Sequence, residues 1–391
     1  MATALTAAGA LLSALATLYA LAALSCRPRT CRPVHGATAS APVPVSVLKP
    51  LCGAEPHLER NLATLCRQTH PCYQLVFGVR DPGDPAAATV ARLARRFPEL
   101  DMRLVVDPRV HGSNLKVSNL INMRAAARHP WLVLADSDIG VEPDYLERVT
   151  APLADPGTGI VTCLYRGVAL GGFWSRLGVL FIDSWFAPSV GVASRAGSSA
   201  FGFGATIALR ADTLRAIGGF EALKDRLADD FWLGELTRRQ GLATVLSEVV
   251  VSTDVTEHSL AQLWRRERRW MQTIRALNPP GYAFCFVTFT LPMLALGLWL
   301  APAPWNWALA LPGLCARMLL HWRAQPRALA LPLAPLRDCL LLAEWLGAFA
   351  GSTTRWRGHL LRVDGRGAAA AAPVPAAPDN TRTTSAPGSP T

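Results

Sequence analysis

The stretch Trp131-Leu132-Val133-Leu134-Ala135-Asp136-Ser137-Asp138 decides how this chain folds. Five apolar residues in a row suit a strand buried on both faces. Two carboxylates with one residue between them stand at its end. Upstream, short apolar runs alternate with longer stretches of helical spacing. The pattern predicts further strands over 45–48, 74–79 and 102–106, and helices over 58–66, 89–97 and 114–128. Strand-helix alternation implies an α/β domain with a parallel sheet covered by helices. In such sheets a ligand sits beyond the carboxyl ends of the strands.

The residues at those ends are acidic. The first strand runs into Lys49-Pro50 and then Glu55. The second runs into Arg80-Asp81 and then Asp84. Asp136 and Asp138 are hard oxygen ligands that could hold Mg²⁺ or Mn²⁺ against a diphosphate. Glu55 and Asp81 could accept hydrogen bonds from a base and ribose. Asp101, which precedes the third strand, is a further candidate. Lys116 opens the helix before the Asp136 strand and could meet phosphate. The plainer readings are an acidic turn and a solvated lysine.

Two more clusters carry chemistry. Asp229-Asp230-Phe231-Trp232 lies in a stretch of helical spacing, 227–239. Transfer at an anomeric carbon needs a base for the acceptor hydroxyl. Asp230 is the candidate and Asp229 the alternative, against a helix-start acid pair favoured by the dipole. Arg265-Arg266-Glu267-Arg268-Arg269-Trp270 follows. Arg266 and Arg269 share a helix face and suit diphosphate oxygens, and Trp270 offers a flat surface. A basic helix at a membrane surface that binds lipid headgroups is the plain alternative. Gly202-Phe203-Gly204 implies a close backbone approach or a tight turn. The apolar stretch 174–192 could line a lipid entrance or be core.

Of 391 residues, 51% are hydrophobic and 17% charged. That excludes a disordered chain and an ordinary soluble enzyme, and it falls short of a polytopic transporter. A soluble domain attached to membrane segments remains. Residues 1–26 read as an N-terminal transmembrane anchor, followed by arginines that favour an N-out orientation. Residues 27–44 read as a linker and 45–278 as the catalytic domain. The uncharged stretch 276–316 predicts a transmembrane hairpin within 279–322. Residues 323–366 carry Arg337, Asp338 and Glu344 in an apolar context and read as a re-entrant or interfacial helix pair. The tail 367–391 reads as disordered. Nine cysteines without a CxxC pair suit a reducing, cytosolic face. The net charge of +11, from 39 basic and 28 acidic residues, suits anionic lipid or phosphorylated substrates.

The order VSVLKPLCGAEPHLERNL, VRDPGDPA, NLKVSNL, DSD, ADDFW and RRERRW resembles the ceramide glucosyltransferase family. Residues 335–358 look like those of the bacterial hopanoid-biosynthesis glycosyltransferases. The resemblance implies a GT-A-type nucleotide-sugar-binding domain between an N-terminal anchor and C-terminal membrane helices. It implies inverting transfer from a UDP-sugar to a lipid hydroxyl, N-acetylglucosamine to a hopanoid such as bacteriohopanetetrol, or glucose to ceramide. By position it assigns the donor to Lys49, Pro50, Glu55, Asp81, Asp101, Lys116, Asp136, Arg266, Arg269 and Trp270. Asp136 and Asp138 would hold a divalent cation, and Asp230 would be the base. The expected partners are donor, lipid and membrane, with no nucleic acid. The expected place is the bacterial inner membrane, crossed more than once, with a cytoplasmic catalytic domain. The chain departs from the family at Arg266, often written Gln, and at Asp229, where eukaryotic members carry Glu. It has no clear counterpart of their histidine-containing segment near 185–195. A processive polysaccharide synthase, which needs a wider bundle of spans, and a non-enzymatic basic membrane protein are the rival readings.

Overall fold

A computed structural model of the chain describes residues 2–30, 42–325 and 331–351, with the backbone of 353–356, 359–363 and 369–371. Most of the expected linker and most of the expected tail lie outside the described residues. The catalytic half begins with β1 (Val45–Pro50), after the N-terminal helix α1 (Ala2–Ser25). It continues through α2 (Leu58–Leu65), β2 (Tyr73–Val79), α3 (Pro85–Arg96), β3 (Asp101–Val106), α4 (Leu115–Arg124) and β4 (Trp131–Ala135). Next come β5 (Ile139–Gly140), α5 (Tyr145–Thr150), β6 (Thr158–Ala169), α6 (Phe173–Phe181), α7 (Ala187–Arg195), β7 (Thr206–Arg210), α8 (Ala211–Ala216), α9 (Asp229–Arg239) and β8 (Ala243–Val255).

These strands form one sheet in the order β3-β2-β1-β4-β7-β6-β8-β5. β3, β2, β1 and β4 are parallel, as the alternating pattern predicts. The second half corrects the expectation of a parallel sheet. β7 runs antiparallel to both β4 and β6, and only β6 and β8 pair in parallel. The chain between β6 and β7 passes through α6 and α7 and re-enters the sheet at the end it left, where Thr206 stands opposite Ala135.

Period-two alternation explains the continuous apolar runs. Val45 and Val47 of β1 enter one core layer with Leu75, Phe77 and Val133, while Leu48 enters the other with Val76, Leu132 and Leu134. In this register Val45 stands opposite both Tyr73 and Trp131, so β1, β2 and β4 end at the same level. Caps fix where the helices after these strands begin. Asp84 accepts from the Ala86 N–H at 2.9 Å, and Asn114 from the Val117 N–H at 3.1 Å, which sets Lys116 in the first turn of α4.

The C-terminal half is helical: α10 (Leu260–Leu277), α11 (Pro279–Phe284), α12 (Thr290–Leu300), α13 (Pro304–Ala324) and α14 (Leu333–Phe349). Three short strands, β9 (Thr353–Trp356), β10 (His359–Val363) and β11 (Ala369–Ala371), form a separate antiparallel sheet. Among the described residues, Thr3–Ser25 and Phe173–Arg195 are long and apolar enough to cross a membrane. The second combines α6, a π-turn (Ile182–Phe186) and α7. Residues Pro279–Thr288 and Thr290–Leu300 would add a third only as one span bent by 72°. The expected hairpin therefore differs in both limbs: the first is sharply bent, and α13 is not in the apolar set. Among the described residues of 325–366, α14 is followed by the strands β9 and β10. Its charges are paired within the protein. Arg317 of α13 donates from Nε to both Asp338 oxygens, at 3.1 and 3.0 Å, and from Nη1 to the Ser184 carbonyl of the π-turn at 3.0 Å.

α1 packs on α12 and α13 through small residues four apart, Gly9, Ser13 and Thr17. A methyl at Gly297 would stand 2.4 Å from Ser13 Oγ and 2.8 Å from the Gly9 carbonyl oxygen, so backbone must yield. Gly297→Ala is expected to cost roughly 1–3 kcal/mol, read as a lowered thermal midpoint of the detergent-solubilised protein. An unchanged midpoint would show that α1 and α12 do not touch there.

Candidate active site

Where β1, β2, β4 and β8 end, they leave a cavity of about 720 Å³. Its polar floor holds Glu55, Asp136, Asp138, Asp229 and Asp230, with Lys116 and Arg80 among them. Lys116 is the bridge. Its Nζ lies 2.7 Å from Asp136 Oδ1 and 3.5 Å from Asp229 Oδ2. Burial opposes its charge, yet Asp136, Asp229 and Asp230 together hold the ammonium above its ordinary range.

The two neighbouring aspartates of α9 are separated by their partners. Asp229 is engaged on both oxygens, by Lys116 and by the Asn114 side-chain amide at 3.2 Å. Asp230 turns toward the loop before β7, where its Oδ2 accepts from the Gly204 N–H at 2.8 Å. Its Oδ1 accepts from its neighbour's N–H, Phe231, at 2.8 Å. Burial, and next the charge of Asp229, push the Asp230 carboxyl up to about 6. Gly204 is a close approach. A methyl there would stand 3.2 Å from Asp136 Oδ2 and 3.3 Å from both Asp230 Oδ2 and Lys116 Nζ. One point thus lies within reach of the strand-end carboxylate, the lysine and the α9 carboxylate.

Asp138 faces the other side. It accepts from Thr253 Oγ1 of β8 at 2.9 Å, and burial with Asp136 and Glu55 pushes its carboxyl up to about 6. Among the described residues no three of His, Cys, Asp and Glu are grouped as a metal site by themselves. Asp136 and Asp138 nevertheless fit a hard divalent cation that takes its remaining ligands from phosphate oxygens and water. Both are carboxylates at one strand end, and a cation there would offset the repulsion between them that adds to burial in raising Asp138.

Not every expected donor residue lies on the cavity wall. Pro50, Glu55, Lys116, Asp136, Arg266, Arg269 and Trp270 do. Lys49 is 1% exposed and lies beneath it. Its Nζ makes no hydrogen bond, and burial pushes it down to about 8 against the pull of Asp138, Asp136 and Glu55. Asp81 is exposed and off the wall; its Oδ1 accepts from the Gly83 N–H at 2.8 Å, and its neighbour Arg80 faces the cavity instead. Asp101 is a correction. It begins β3 at the amino end of the sheet and pairs with Arg128 and Arg103, because a residue before a strand sits opposite the ligand edge. Asp84 is spent on a cap and on the Gly53 N–H.

Sequence reasoning missed Glu257, Tyr165 and Arg80. Glu257, just after β8, holds Arg266 Nη1 at 2.7 Å. Tyr165 of β6 stacks on Phe186 at 5.1 Å and meets Phe203 edge-on at 6.5 Å. With Phe181, Ile182 and Phe201 these rings make an apolar wall facing the acids. The signal for Glu257 was its place two residues after a strand, a weak one because β8 itself carries Glu248 and Asp254.

Residues 6–369 fit the model of glycosyl transferase family 21. Ceramide glucosyltransferase 1 of Caenorhabditis elegans is 23% identical over 60% of this chain and 50% of its own length. The ceramide glucosyltransferase of Komagataella phaffii is 28% identical over 27% of this chain and 21% of its own. The chain spans about half the length of the first of these relatives. A mannosyltransferase of Pyrobaculum calidifontis, solved with GDP-Man and Mn²⁺, has the same fold, with a TM-score of 0.54 at 22% identity over 89% of this chain and 98% of that one. The fold is of the GT-A glycosyltransferase type. The chain belongs to glycosyl transferase family 21.

Gly204→Ala is expected to press Lys116 and Asp136 apart and to weaken binding of UDP with Mn²⁺ at least tenfold, with the thermal midpoint little changed. UDP affinity equal to that of the parent would mean that the nucleotide diphosphate lies away from Gly204.

Proposed function

We propose that this chain is a membrane-bound inverting glycosyltransferase that moves a hexose from a UDP-sugar to a lipid hydroxyl, in the manner of a ceramide glucosyltransferase. The observation that carries this reading is the meeting of Asp136, Lys116 and Asp230 at Gly204, on the floor of a cavity whose opposite wall is aromatic. A diphosphate suits the Lys116 and Arg266 side, and a lipid head with an alkyl chain suits the wall of Tyr165, Phe186 and Phe203. The apolar helix Phe173–Arg195 contributes Phe181, Ile182 and Phe186 to that wall, which would give a lipid a path from a bilayer to the acids. The ceramide glucosyltransferase relatives favour glucose and ceramide. The resemblance of residues 335–358 to the hopanoid enzymes carries the second reading, N-acetylglucosamine to a polyhydroxylated hopanoid.

In this reading Asp230 accepts the proton of the acceptor hydroxyl as its oxygen bonds to the anomeric carbon. The bond from that carbon to the diphosphate oxygen breaks, UDP departs, and an α-linked donor gives a β-glycoside. A divalent cation held by Asp136 and Asp138 would neutralise charge on the leaving diphosphate. Lys116 and Arg266 supply charge-assisted hydrogen bonds on the same side. The catalytic domain faces the cytosol, where UDP-sugars are made, at the inner membrane of a bacterium.

The test is UDP release by the purified, detergent-solubilised protein with Mg²⁺ or Mn²⁺, pairing UDP-glucose or UDP-N-acetylglucosamine with ceramide or bacteriohopanetetrol. Release with UDP-glucose and ceramide is expected. Release only with the N-acetyl donor and the hopanoid would shift the substrate and keep the chemistry. Absence of release with every pair, together with absence of UDP binding, would overturn both.

Asp230→Asn is expected to lower kcat by about 10²–10⁴ with donor KM little changed. A base works only when deprotonated. With its carboxyl near 6, kcat/KM should be level above pH 7 and fall as pH drops through about 6. A profile level from pH 7 to 5 would remove Asp230 from this role.

A further inference from the structure

Arg266 reaches the cavity from α10, but the groups that fix it lie partly outside the cavity. Its Nη1 is held by Glu257 at 2.7 Å, its guanidinium lies 5.0 Å over the Trp270 ring, and its Nη2 stands 3.6 Å from Glu267 Oε1. Its Nε and Nη2 are buried and make no hydrogen bond. α6 leaves room for it: a methyl at Gly178 would stand 2.6 Å from Nη2.

Glu267 is fully buried and is also paired on its other oxygen. Arg337 Nη1 of α14 lies 2.8 Å from Glu267 Oε2, and Arg337 Nη2 donates to Glu344 Oε2 at 2.8 Å. Arg337 and Glu344 are 0% exposed as well. A carboxylate cut off from water needs a cation nearby. Without Arg337, the remaining cationic partner of Glu267 among the described residues would be Arg266.

We propose that Arg337 is a positioning residue for the transfer: from α14 it pairs with Glu267, and so keeps the Arg266 guanidinium on the cavity wall, within reach of the diphosphate of the donor. This rests on the reading that the cavity takes a nucleoside-diphosphate sugar. Loss of Arg337 would let Glu267 close the 3.6 Å gap and draw the guanidinium into a buried pair. The helix outside the catalytic sheet thereby sets the donor affinity of a residue it does not touch.

The plain alternative is that the Arg337 pairs only join α14 to α10. The two differ in coupling and in rescue. UDP affinity with Mn²⁺ is measured on the full chain in lipid nanodiscs, per folded protein as counted by tryptophan-fluorescence melting. Arg337→Met is expected to weaken UDP about tenfold, but less than twofold in an Arg266→Ala background. Adding Glu267→Gln to Arg337→Met should restore affinity to within about threefold, because the competing charge is gone. Should Arg337→Met fail to fold, the pair Arg337→Met/Glu344→Met replaces two buried charges with apolar chains of similar length, an exchange that is often neutral for stability. It carries the same expectations. Equal losses in both Arg266 backgrounds, unchanged affinity without Arg337, or no rescue by Glu267→Gln would overturn the proposal. Unchanged UDP affinity in Arg266→Ala alone would overturn the assignment of Arg266 to the diphosphate, and the relay with it. A parent protein that binds no UDP would instead refute the donor reading beneath both.

Discussion

Everything at this site depends on how one buried ammonium sits among carboxylates. Asp136, Asp229 and Asp230 approach from two elements that are far apart in sequence, and Lys116 stands between them. Like charges so close are unfavourable in a low-dielectric setting unless a cation joins them. The lysine offsets part of that charge. The upward push on Asp138 and Asp230 comes first from burial and next from a neighbouring carboxylate, Asp136 for the one and Asp229 for the other. Hard oxygen ligands beside a lysine and an arginine are what the proposed divalent cation and diphosphate would need. In the proposed reaction the raised Asp230 carboxyl would help, because a carboxylate raised toward neutrality is a better proton acceptor than one far below it.

The fold supplies this arrangement through register. β1, β2 and β4 end at one level, so the residues after them share one edge, and α4 begins above that edge with Lys116 in its first turn. β8 adds Thr253 and Glu257 from the other half of the sheet. The loop before β7 brings Gly204 against Asp230, and only a residue without a side chain lets the backbone approach so closely. α14 is part of the same structure. Its adjacent residues Arg337 and Asp338 face different partners, the first toward α10 and the second toward α13 and the start of α12.

Much of the first half of the fold was legible in the sequence, because parallel strands buried on both faces are written as unbroken apolar runs with acids at their ends. That rule marked Asp136, Asp138 and Glu55, and Lys116 was marked by its place at the start of the helix before the Asp136 strand; all four line the cavity. Asp101 was wrongly included because it stands beside a strand, at the end that faces away from the ligand. Asp81 was adjacent to the right residue: alternation turns Arg80 inward and leaves Asp81 at the turn. The antiparallel half was not legible, since β6, β7 and β8 pair across long insertions and no local pattern marks their order. Glu257 and Tyr165 were lost with it. The charges of α14 looked costly in an apolar stretch. Their partners, Glu267 and Arg317, lie on other helices, and only the packed structure brings them together.

The most direct measurement is an anomalous-scattering crystal structure of the full chain grown with UDP and Mn²⁺. The expected result is a manganese peak between the Asp136 and Asp138 carboxylates and the diphosphate, with Lys116 and Arg266 on the phosphate oxygens and Asp230 facing open space. UDP bound elsewhere, or a diphosphate among these residues with the carboxylates turned away from it, would contradict the assignment of this cavity to a nucleotide sugar.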